Sequence, residues 1–434
     1  MDGRIADMAR RARKASYTFR SSTLAKRNEA LQTLRTLLEE RTQEILAANR
    51  KDVRRAEAEG MAAAPLARLH LDDKKLLGLC DGLTALVALP DPVGICQIHR
   101  ELAEGLILNR VSCPIGVVAV IFESRPDALI QIGSLCLKSA NSVLLKGGRE
   151  ASETNAVLFS LLEEAGRSAE LPEGWTGLLT SREDVSELLA MDRDVDLVIP
   201  RGSGAFVRYI MDHTHIPVLG HSEGICHLYL DAGCDVDMAA KIAVDAKCQY
   251  PSACNAIETV LWHRNSEKAL LSVARALSER NVRLIVDVPT QALLSASSIP
   301  CEPAGEDAFG TEYLSLAVNL VRVDNMEEAI AHINRWGSHH TDAIVTESDK
   351  SWQHFAGAVD SAGVYRNCST RFADGYRYGF GAEVGIATGR LHARGPMGLE
   401  GLCTYTYRLE GKGDTVGEFA AGQRFFTHRD LPVT

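Results

Sequence analysis

The sequence predicts an α/β protein in which helices cover the faces of parallel sheets. Between about residues 111 and 366, short apolar segments typical of strands alternate with segments of helical periodicity, and the connections are short. The alternation forms two consecutive series, which predicts two α/β units. A length of 434 residues agrees with this, because a single core seldom extends over so long a chain.

The first 90 residues or so are predicted to be helical. Apolar residues recur over 31–45 at steps of three, four and seven, which forms one apolar stripe. Residues 49–52 and 59–60 are expected to interrupt this pattern, and the Pro- and Gly-containing cluster at 90–94 is expected to end it.

The first α/β series follows this helical segment. Its predicted strands are 111–122, interrupted by Pro114 and Gly116, then 142–146, 195–200, 217–219 and 225–230, and its predicted helices are 127–140, 150–165, 205–211 and 235–247.

The second series has the same alternating form. Its predicted strands are 257–262, 282–286, 316–322, 343–345 and 363–366, and its predicted helices are 265–279, 326–335 and 348–358. From about residue 395 the chain is Gly-rich, and residues 404–408 then alternate as an exposed edge strand does. Such a strand usually needs a partner.

Composition excludes several classes of function. Hydrophobic residues make up 46% of the chain and charged residues 24%, and the net charge of −10 argues against broad nucleic-acid binding. No apolar stretch approaches the ~18 residues of a membrane span. The N-terminal residues lack the apolar core of a signal peptide.

The cysteines indicate a reduced, cytoplasmic protein. Eleven cysteines without regular spacing do not form the pattern of a secreted disulfide scaffold. Cys248 and Cys254 have no accompanying His/Cys pair at metal-ligand spacing, and the adjacent His339 and His340 are not expected to converge on one ion. No metal site is therefore predicted.

Cys254 is the strongest candidate for a reactive group. It lies in Tyr250-Pro-Ser-Ala-Cys-Asn255, between a predicted helix and a predicted strand, and Pro251 disfavours helix at the preceding residue. A thiolate on such a loop can attack an activated carbonyl and leave again from a thioester. The alternative is a buried cysteine that serves only as a small apolar residue.

Two glycine-containing turns are candidates for nucleotide binding. Lys146, Gly147 and Gly148 join a strand to a helix, where glycines allow close backbone approach and free N–H groups at the helix start attract phosphate. Lys146 could hold a ribose hydroxyl or a 2′-phosphate, to which Arg149 would add charge. Gly202 and Ser203 lie in a weaker Gly-x-Gly pattern. The alternative is a tight turn with solvated charges.

Other polar residues lie where strands end or in long loops. Ser124, Arg125 and Asp127 follow a strand, although a capped helix start would also explain them. His221 and Glu223 precede a strand and could move protons, or could be ordinary turn residues. Arg371 lies in a glycine-rich loop region over 367–385 and could bind a carboxylate or phosphate.

Taken in order, these segments resemble the aldehyde dehydrogenase superfamily, and within it the reductases that act on a glutamyl phosphate. The resemblance spans essentially the whole chain, and its motifs are 114–126, 145–148, 199–203, 220–224, 250–255 and 392–396.

The resemblance implies an aldehyde dehydrogenase-like α/β fold, with two Rossmann-like parallel-sheet domains and a small oligomerisation flap. It implies an NADP-binding domain over 1–245, in which a hairpin near 96–113 contributes to oligomerisation. A catalytic domain would follow over 246–394 and a C-terminal oligomerisation segment over 395–434. The expected assembly is a homo-oligomer, a dimer or a tetramer.

The resemblance also implies the chemistry. L-glutamyl 5-phosphate would be reduced by NADPH to L-glutamate 5-semialdehyde and phosphate in proline biosynthesis, through a thioester on Cys254. Lys146 would lie near the adenosine ribose and Glu312 near the nicotinamide ribose. A glutamate 5-kinase is a candidate partner. The candidates for oxyanion or substrate contacts are Ser124, Arg125, Arg201, His221, Glu223, Asn255 and Arg371.

The chain departs from the superfamily pattern at two positions. Ser124 stands where the superfamily has its oxyanion-stabilising asparagine, so the Cys254 backbone N–H would need an unidentified second donor. The superfamily's general-base glutamate has no secure counterpart, which suits a reductase that must keep water from the thioester. Two alternatives remain: another superfamily reductase, such as a coenzyme A-acylating or non-phosphorylating enzyme, or a non-catalytic binding protein.

Overall fold

The computed structural model describes residues 3–221, 223–380 and 383–433. Ser222, in the predicted turn, and Gly381 and Ala382, in the predicted glycine-rich loop, lie outside the described residues. The helices are α1 (Arg4–Phe19), α2 (Leu24–Glu40), α3 (Thr42–Ala58), α4 (Ala63–Leu69), α5 (Asp73–Ala88), α6 (Asp127–Lys138), α7 (Ser152–Ser168), α8 (Arg182–Leu188), α9 (Gly204–Asp212), α10 (Val236–Cys248), α11 (Glu267–Ser278), α12 (Val288–Ala296), α13 (Met326–Trp336), α14 (Asp349–Ala358) and α15 (Val416–Ala420).

The strands follow the predicted alternation in both series. They are β1 (Cys96–Ala103), β2 (Leu106–Pro114), β3 (Val117–Phe122), β4 (Ser142–Lys146), β5 (Thr176–Leu179), β6 (Leu197–Arg201), β7 (Cys226–Leu230), β8 (Ile257–His263), β9 (Arg283–Val286), β10 (Glu302–Pro303), β11 (Ala317–Val323), β12 (Thr341–Val345), β13 (Gly363–Arg366), β14 (Gly385–Ala387), β15 (Gly395–Met397), β16 (Cys403–Glu410) and β17 (Arg429–Asp430).

The N-terminal helices confirm the predicted helical segment but not one of its predicted breaks. α3 continues through residues 49–52, where a break was predicted. The reason is that two of these polar side chains are buried and bonded: Asn49 Nδ2 donates to the carbonyl of Leu69 at 2.9 Å, and Asp52 accepts from Thr154 Oγ1 at 2.7 Å. Polarity therefore does not mark the end of this helix.

One compact unit contains the residues up to Leu219 and the C-terminal residues from Met397. Its parallel sheet has the order β5-β4-β3-β6, and every residue of β3 is buried. Residues 217–219, predicted as a strand, contribute only an isolated bridge between Val218 and Val198. β5 and α8 were not predicted; α8 carries a capping box in which Ser181 accepts from the N–H of Asp184.

A second sheet of this unit is antiparallel, with the order β16-β2-β1-β17. β1 and β2 form the predicted hairpin, and β16 pairs with β2 along its whole length, so the exposed strand predicted at 404–408 has its partner. Tyr405, Tyr407 and Leu409 on β16 are each about half exposed.

The other unit contains 220–379 and 386–396, and it is built on one parallel sheet with the order β10-β9-β11-β8-β7-β12-β13. Apolar side chains cover both faces: one cluster includes Leu228, Val260 and Leu320, and the other includes Tyr229, Leu261 and Phe355. Because both faces are covered, β7 and β8 are buried along almost their whole length rather than at every second residue.

The units divide the chain after Leu219, whereas the predicted domain boundary follows residue 245. The physical reason is strand pairing: β7 is hydrogen-bonded to β8 on one side and to β12 on the other. β7, assigned in the sequence to the first domain, therefore belongs to the seven-stranded parallel sheet, and α10 packs against the same sheet. Among the helices of the described residues, none combines the length and apolar character that a membrane crossing requires.

Candidate active site

Cys254 lies on a short turn between α10 and β8, as predicted. The N–H of Ala253 donates to the carbonyl of Tyr250 at 3.2 Å, and the N–H of Ala256 donates to that of Ala253 at 2.9 Å, so two consecutive turns connect helix and strand. Cys254 is partly exposed, in contrast to the fully buried Cys226. Cys254 is therefore not a fully buried cysteine.

Gly224, just before β7, and Cys226, the first residue of β7, hold the backbone of this turn. A Cβ atom on Gly224 would lie 2.1 Å from the carbonyl oxygen and 2.5 Å from the Cα of Cys254, so only glycine allows this approach. Cys226 Sγ donates to the same carbonyl at 3.4 Å. Burial raises the pKa of Cys226 well above its usual value, which keeps this second thiol protonated.

Replacing Gly224 with alanine is expected to lower turnover by on the order of 10- to 100-fold, because the added methyl group must displace the Cys254 backbone. Steady-state kinetics at saturating substrate would measure this. Gly357→Ala is the matched control, since a Cβ there meets nothing within 4 Å. Unchanged turnover in a folded Gly224→Ala variant would contradict the proposed tight packing.

His340 lies beside the thiol, and the sequence interpretation did not select it. Its Nε2 is 3.3 Å from Cys254 Sγ, and its Nδ1 is 2.9 Å from Thr341 Oγ1. His340 is buried, whereas the side chain of His339 is 41% exposed and its Nδ1 lies against the carbonyl of Asp360. Of these two adjacent imidazoles, His340 therefore contacts the thiol of Cys254, whereas His339 contacts the backbone of Asp360.

His221 completes this group. Its ring packs edge-on against His340 with centroids 5.2 Å apart, and its Nδ1 is 3.0 Å from the carbonyl oxygen of Ile386. Cys254, His221 and His340 precede β8, β7 and β12, which are neighbours in one parallel sheet. The group therefore lies at the amino-terminal edge of the sheet, and His340 could have been found in the sequence from its place just before a predicted strand.

Asn255 is fixed by the loop that follows β13. Its Nδ2 donates to the carbonyl of Ala373 at 2.8 Å, and its own carbonyl accepts from Thr370 Oγ1 at 2.6 Å. The side chain is 4% exposed. These bonds anchor the C-terminal side of the Cys254 turn.

Arg371 belongs to the same loop, and it is a buried cation that interacts with the segment before Cys254. Its Nε donates to Gln249 Oε1 at 2.9 Å, and its guanidinium lies 5.8 Å from the ring centre of Tyr250. Burial lowers the pKa of Arg371 below its usual value, and the neighbouring positive charge of Arg377 lowers it further. An anion would relieve both effects.

Of the two carboxylate candidates near this site, Glu312 is partly buried and Glu223 is exposed. Glu312 Oε1 accepts from the N–H of Gly224 at 2.9 Å, and burial raises the pKa of Glu312 above its usual value. Glu312, selected by resemblance as a cofactor residue, thus supports the segment that packs against Cys254.

The nucleotide candidates of the other unit lie at the carboxyl ends of β4 and β6, the two strands that flank β3, as predicted. Lys146 ends β4, and burial lowers its pKa below the usual value. A Cβ on Gly147 would lie 2.1 Å from Asn155 Nδ2, and one on Gly148 would lie 1.9 Å from Glu150 Oε1. The protein's own side chains therefore occupy the space that both glycines provide.

At the start of α7, which follows these glycines after one short turn, the first-turn N–H groups have a partner within the protein. The N–H groups of Glu153 and Thr154, in the first turn of α7, donate to the Asp52 carboxylate at 3.2 and 2.8 Å. Asp52 is fully buried, so this helix start already has its anion. The sequence concealed the carboxylate because it comes from α3, about 100 residues earlier.

Ser124 has a partner within its own unit. Its N–H and Oγ both donate to Glu150 Oε1, at 2.5 and 2.9 Å, and its backbone has a positive φ of 46°. Its hydroxyl is therefore directed to a carboxylate. Arg125 follows at the start of α6, where its carbonyl accepts from the N–H of Ala128.

The Gly-x-Gly segment after β6 begins α9. Ser203 Oγ accepts from the N–H of Phe206 at 3.4 Å and so caps the helix, and a Cβ on Gly202 would lie 2.9 Å from Glu123 Oε2. Arg201 is 3.9 Å from Glu383 Oε1. Arg201 is the last residue of β6, and Ser124 follows the end of the adjacent strand β3. These candidates therefore lie at the carboxyl ends of two neighbouring strands.

Comparison with known proteins agrees with this architecture. The family model described as "Aldehyde dehydrogenase family" matches residues 3–289. The chain belongs to the aldehyde dehydrogenase family. Its members are oxidoreductases that use NAD or NADP.

Within the aldehyde dehydrogenase family, the similar curated proteins are gamma-glutamyl phosphate reductases. The one from Acetivibrio thermocellus is 49% identical over 428 residues, which is 98% of each chain. The one from Parasynechococcus marenigrum is 53% identical over 409 residues, which is 94% of this chain and 93% of the relative. The chain is thus a member of this branch of the aldehyde dehydrogenases.

A solved structure shows the same arrangement of elements. The crystal structure of gamma-glutamyl phosphate reductase from Thermotoga maritima is 35% identical and superimposes with a TM-score of 0.91, over 95% of this chain and 99% of that one. The predicted aldehyde dehydrogenase-like fold is confirmed.

Proposed function

We propose that this chain reduces L-glutamyl 5-phosphate with NADPH to L-glutamate 5-semialdehyde and phosphate, a step of proline biosynthesis. The names of relatives at about half identity over nearly the whole chain support the substrate. The observation that carries the chemistry is the partly exposed Cys254 thiol with His340 Nε2 at 3.3 Å.

The first step is transfer of the acyl group to sulfur. His340 Nε2 accepts the thiol proton, and the thiolate attacks the acyl carbonyl of the substrate. The carbonyl–phosphate bond then breaks, and its electron pair leaves with phosphate, which gives a thioester on Cys254. The Cys254 N–H is the proposed donor to the developing oxyanion, and the bonds of Asn255 hold that turn rigid.

Arg371 is the proposed partner of a negatively charged group of the substrate. It is buried, it lies beside a second cation, Arg377, and its Nε is fixed by Gln249. A planar guanidinium held in this way suits a carboxylate or a phosphate. Arg371 is therefore preferred to Arg125, Arg201 and Glu223 as the proposed partner of this group.

NADPH, when bound, supplies the hydride that reduces the thioester. The residues proposed to hold it are Lys146, Gly202 and Ser203, at the carboxyl edge of a parallel sheet, which is where such sheets bind ligands. Near Lys146 the positive charge of Arg182 would favour a phosphorylated ribose, whereas the carboxylates of Glu150, Glu123 and Asp184 oppose it, so the proposed preference for NADPH over NADH rests on the resemblance. Asp52 at the start of α7 is unfavourable for phosphate at that helix.

The proposed activity is tested in the reverse direction with L-glutamate 5-semialdehyde. We expect NADP reduction that depends on added phosphate and is faster than with NAD. Coenzyme A in place of phosphate should give no reaction. Reduction that requires coenzyme A, or that proceeds without either acceptor, would assign the chain to another kind of aldehyde dehydrogenase, and no reduction at all would favour a binding protein.

The proposed setting is a cytoplasmic homo-oligomer. Every cysteine in the described residues is a free thiol, as expected in a reducing compartment. β16 is an edge strand with exposed Tyr405, Tyr407 and Leu409, a surface that suits a second copy of the chain in a dimer or tetramer. A glutamate 5-kinase is the proposed source of the acyl phosphate.

A further inference from the structure

We propose that Cys254, His221 and His340 form a binding site for Zn²⁺, and that Zn²⁺ bound there inhibits the enzyme. In the described part of the chain, this is the one group of three or more His, Cys, Asp or Glu whose ligand atoms converge closely enough for a metal ion. Sequence spacing predicted no such site, because the three residues come from segments that the sheet brings together.

The distances suit a tetrahedral ion. The ligand atoms of the three residues all lie within 4.8 Å of one another, and Cys254 Sγ is 3.3 Å from His340 Nε2. Zinc bonds of ~2.3 Å to sulfur and ~2.0 Å to nitrogen place the ligand atoms of a tetrahedral site about 3.5 Å apart. Small side-chain rotations therefore bring the group to zinc geometry.

The two imidazoles present the correct nitrogen. Nδ1 of His221 lies 3.0 Å from the carbonyl of Ile386, which can only accept, so Nδ1 carries the proton and Nε2 has the lone pair. His340 Nδ1 is 2.9 Å from Thr341 Oγ1, which can accept the proton of that nitrogen in the same way. Metal-binding histidines are usually oriented by such a bond from the second nitrogen.

Binding at this site removes the nucleophile. The thiol loses its proton as the zinc–sulfur bond forms, and the sulfur lone pair that would attack the acyl carbonyl is shared with the metal. Three protein ligands leave a fourth position for water. The inhibition rests on the proposed function of Cys254, whereas the binding rests on the geometry alone.

The binding is tested on the full chain with zinc in equilibrium dialysis and with Co²⁺ as a spectroscopic probe. We expect one tight equivalent of zinc, and with Co²⁺ the visible bands of a tetrahedral ion together with sulfur-to-metal charge transfer. His221→Asn keeps an N–H donor near Ile386 but removes the imidazole, and it should weaken zinc binding at least about 10-fold. Cys254→Ser should abolish the charge-transfer band.

The matched control is His339→Asn. This side chain is next to His340 but directed to Asp360, and its positive φ of 60° is one that asparagine tolerates. Zinc affinity and turnover should be unchanged in this variant. Equal zinc affinity in His221→Asn and the unchanged protein, or a cobalt spectrum without sulfur ligation, would overturn the proposed site.

Activity measurements separate this proposal from the proposed function. With the unchanged protein, zinc should inhibit NADP reduction, a chelator should restore it, and His221→Asn should need at least about 10-fold more zinc for the same inhibition. Tight zinc binding in a protein without reductase activity would support the proposed zinc site and refute the proposed function. Zinc that binds at this site without inhibiting an active enzyme would refute the inhibitory role.

Discussion

Replacing Cys254 with serine is expected to lower formation of L-glutamate 5-semialdehyde by on the order of 10³-fold or more, and to leave NADPH binding close to that of the unchanged protein. A hydroxyl is a much weaker nucleophile than a thiolate, and an ester is a poorer acyl donor to hydride than a thioester. The measurement is steady-state turnover, with cofactor affinity determined separately by fluorescence titration.

Cys248→Ser is the matched control. This thiol lies six residues earlier, at the end of α10, and packs against the apolar core of its unit. Burial raises its pKa above the usual value, so it is a poor thiolate source, and its removal should leave turnover nearly unchanged. Retained turnover in Cys254→Ser would exclude the thioester mechanism.

Chemical labelling gives a second test of the same assignment. Iodoacetamide should modify Cys254 faster than the buried cysteines, because it is partly exposed and has an imidazole at 3.3 Å. Bound substrate should protect it. Labelling that spreads over several cysteines, without protection by substrate, would show that Cys254 is not the thiol that meets the acyl group.

Much of this fold could be predicted from the sequence, because parallel strands buried on both faces are apolar runs with sharp ends. β13 was predicted at its observed bounds, and α13 within one residue. α12 was missed: its first turn contains Pro289, although Asp287, which accepts from the N–H of Thr290, was a recognisable cap.

The candidate site was only partly predictable, for a physical reason. Cys254 sits in a local motif, so the sequence could identify it. Asp52 and His340 act on groups 102 and 86 residues away in sequence, and only the pairing of strands or packing of helices brings them into contact. Local chemistry can be read from neighbours along the chain, whereas proximity between elements depends on the order of strands in the sheet.

Replacing Lys247 with methionine is expected to lower the free energy of unfolding by about 3–5 kcal/mol, because it leaves a buried carboxylate without its cation. Lys247 Nζ is 2.7 Å from Glu258 Oε2, and both side chains are fully buried. The N–H of Leu314 is the other donor to Glu258, at 3.4 Å. Urea unfolding followed by circular dichroism would measure the loss.

The loss should grow with pH. Burial raises the pKa of Glu258 to about 7, above its usual value, and lowers that of Lys247. A raised carboxyl pKa contributes stability at low pH, and the contribution is lost as pH rises through about 7. Without Lys247 this carboxylate is harder still to ionise, so the gap to the unchanged protein should be wider at about pH 8 than at about pH 6.

The double variant Lys247→Met/Glu258→Leu separates charge from packing. Replacing both partners leaves no buried charge, so stability should return to within about 1 kcal/mol of the unchanged protein, without the pH dependence. A single-variant loss below about 1 kcal/mol, or one that does not change with pH, would contradict this account. α10 and β8 flank the Cys254 turn, so turnover of the double variant would show whether this ion pair also positions the thiol. Recovered stability with reduced turnover would assign the ion pair that positioning role. Full recovery of both stability and turnover would show that the ion pair is structural only.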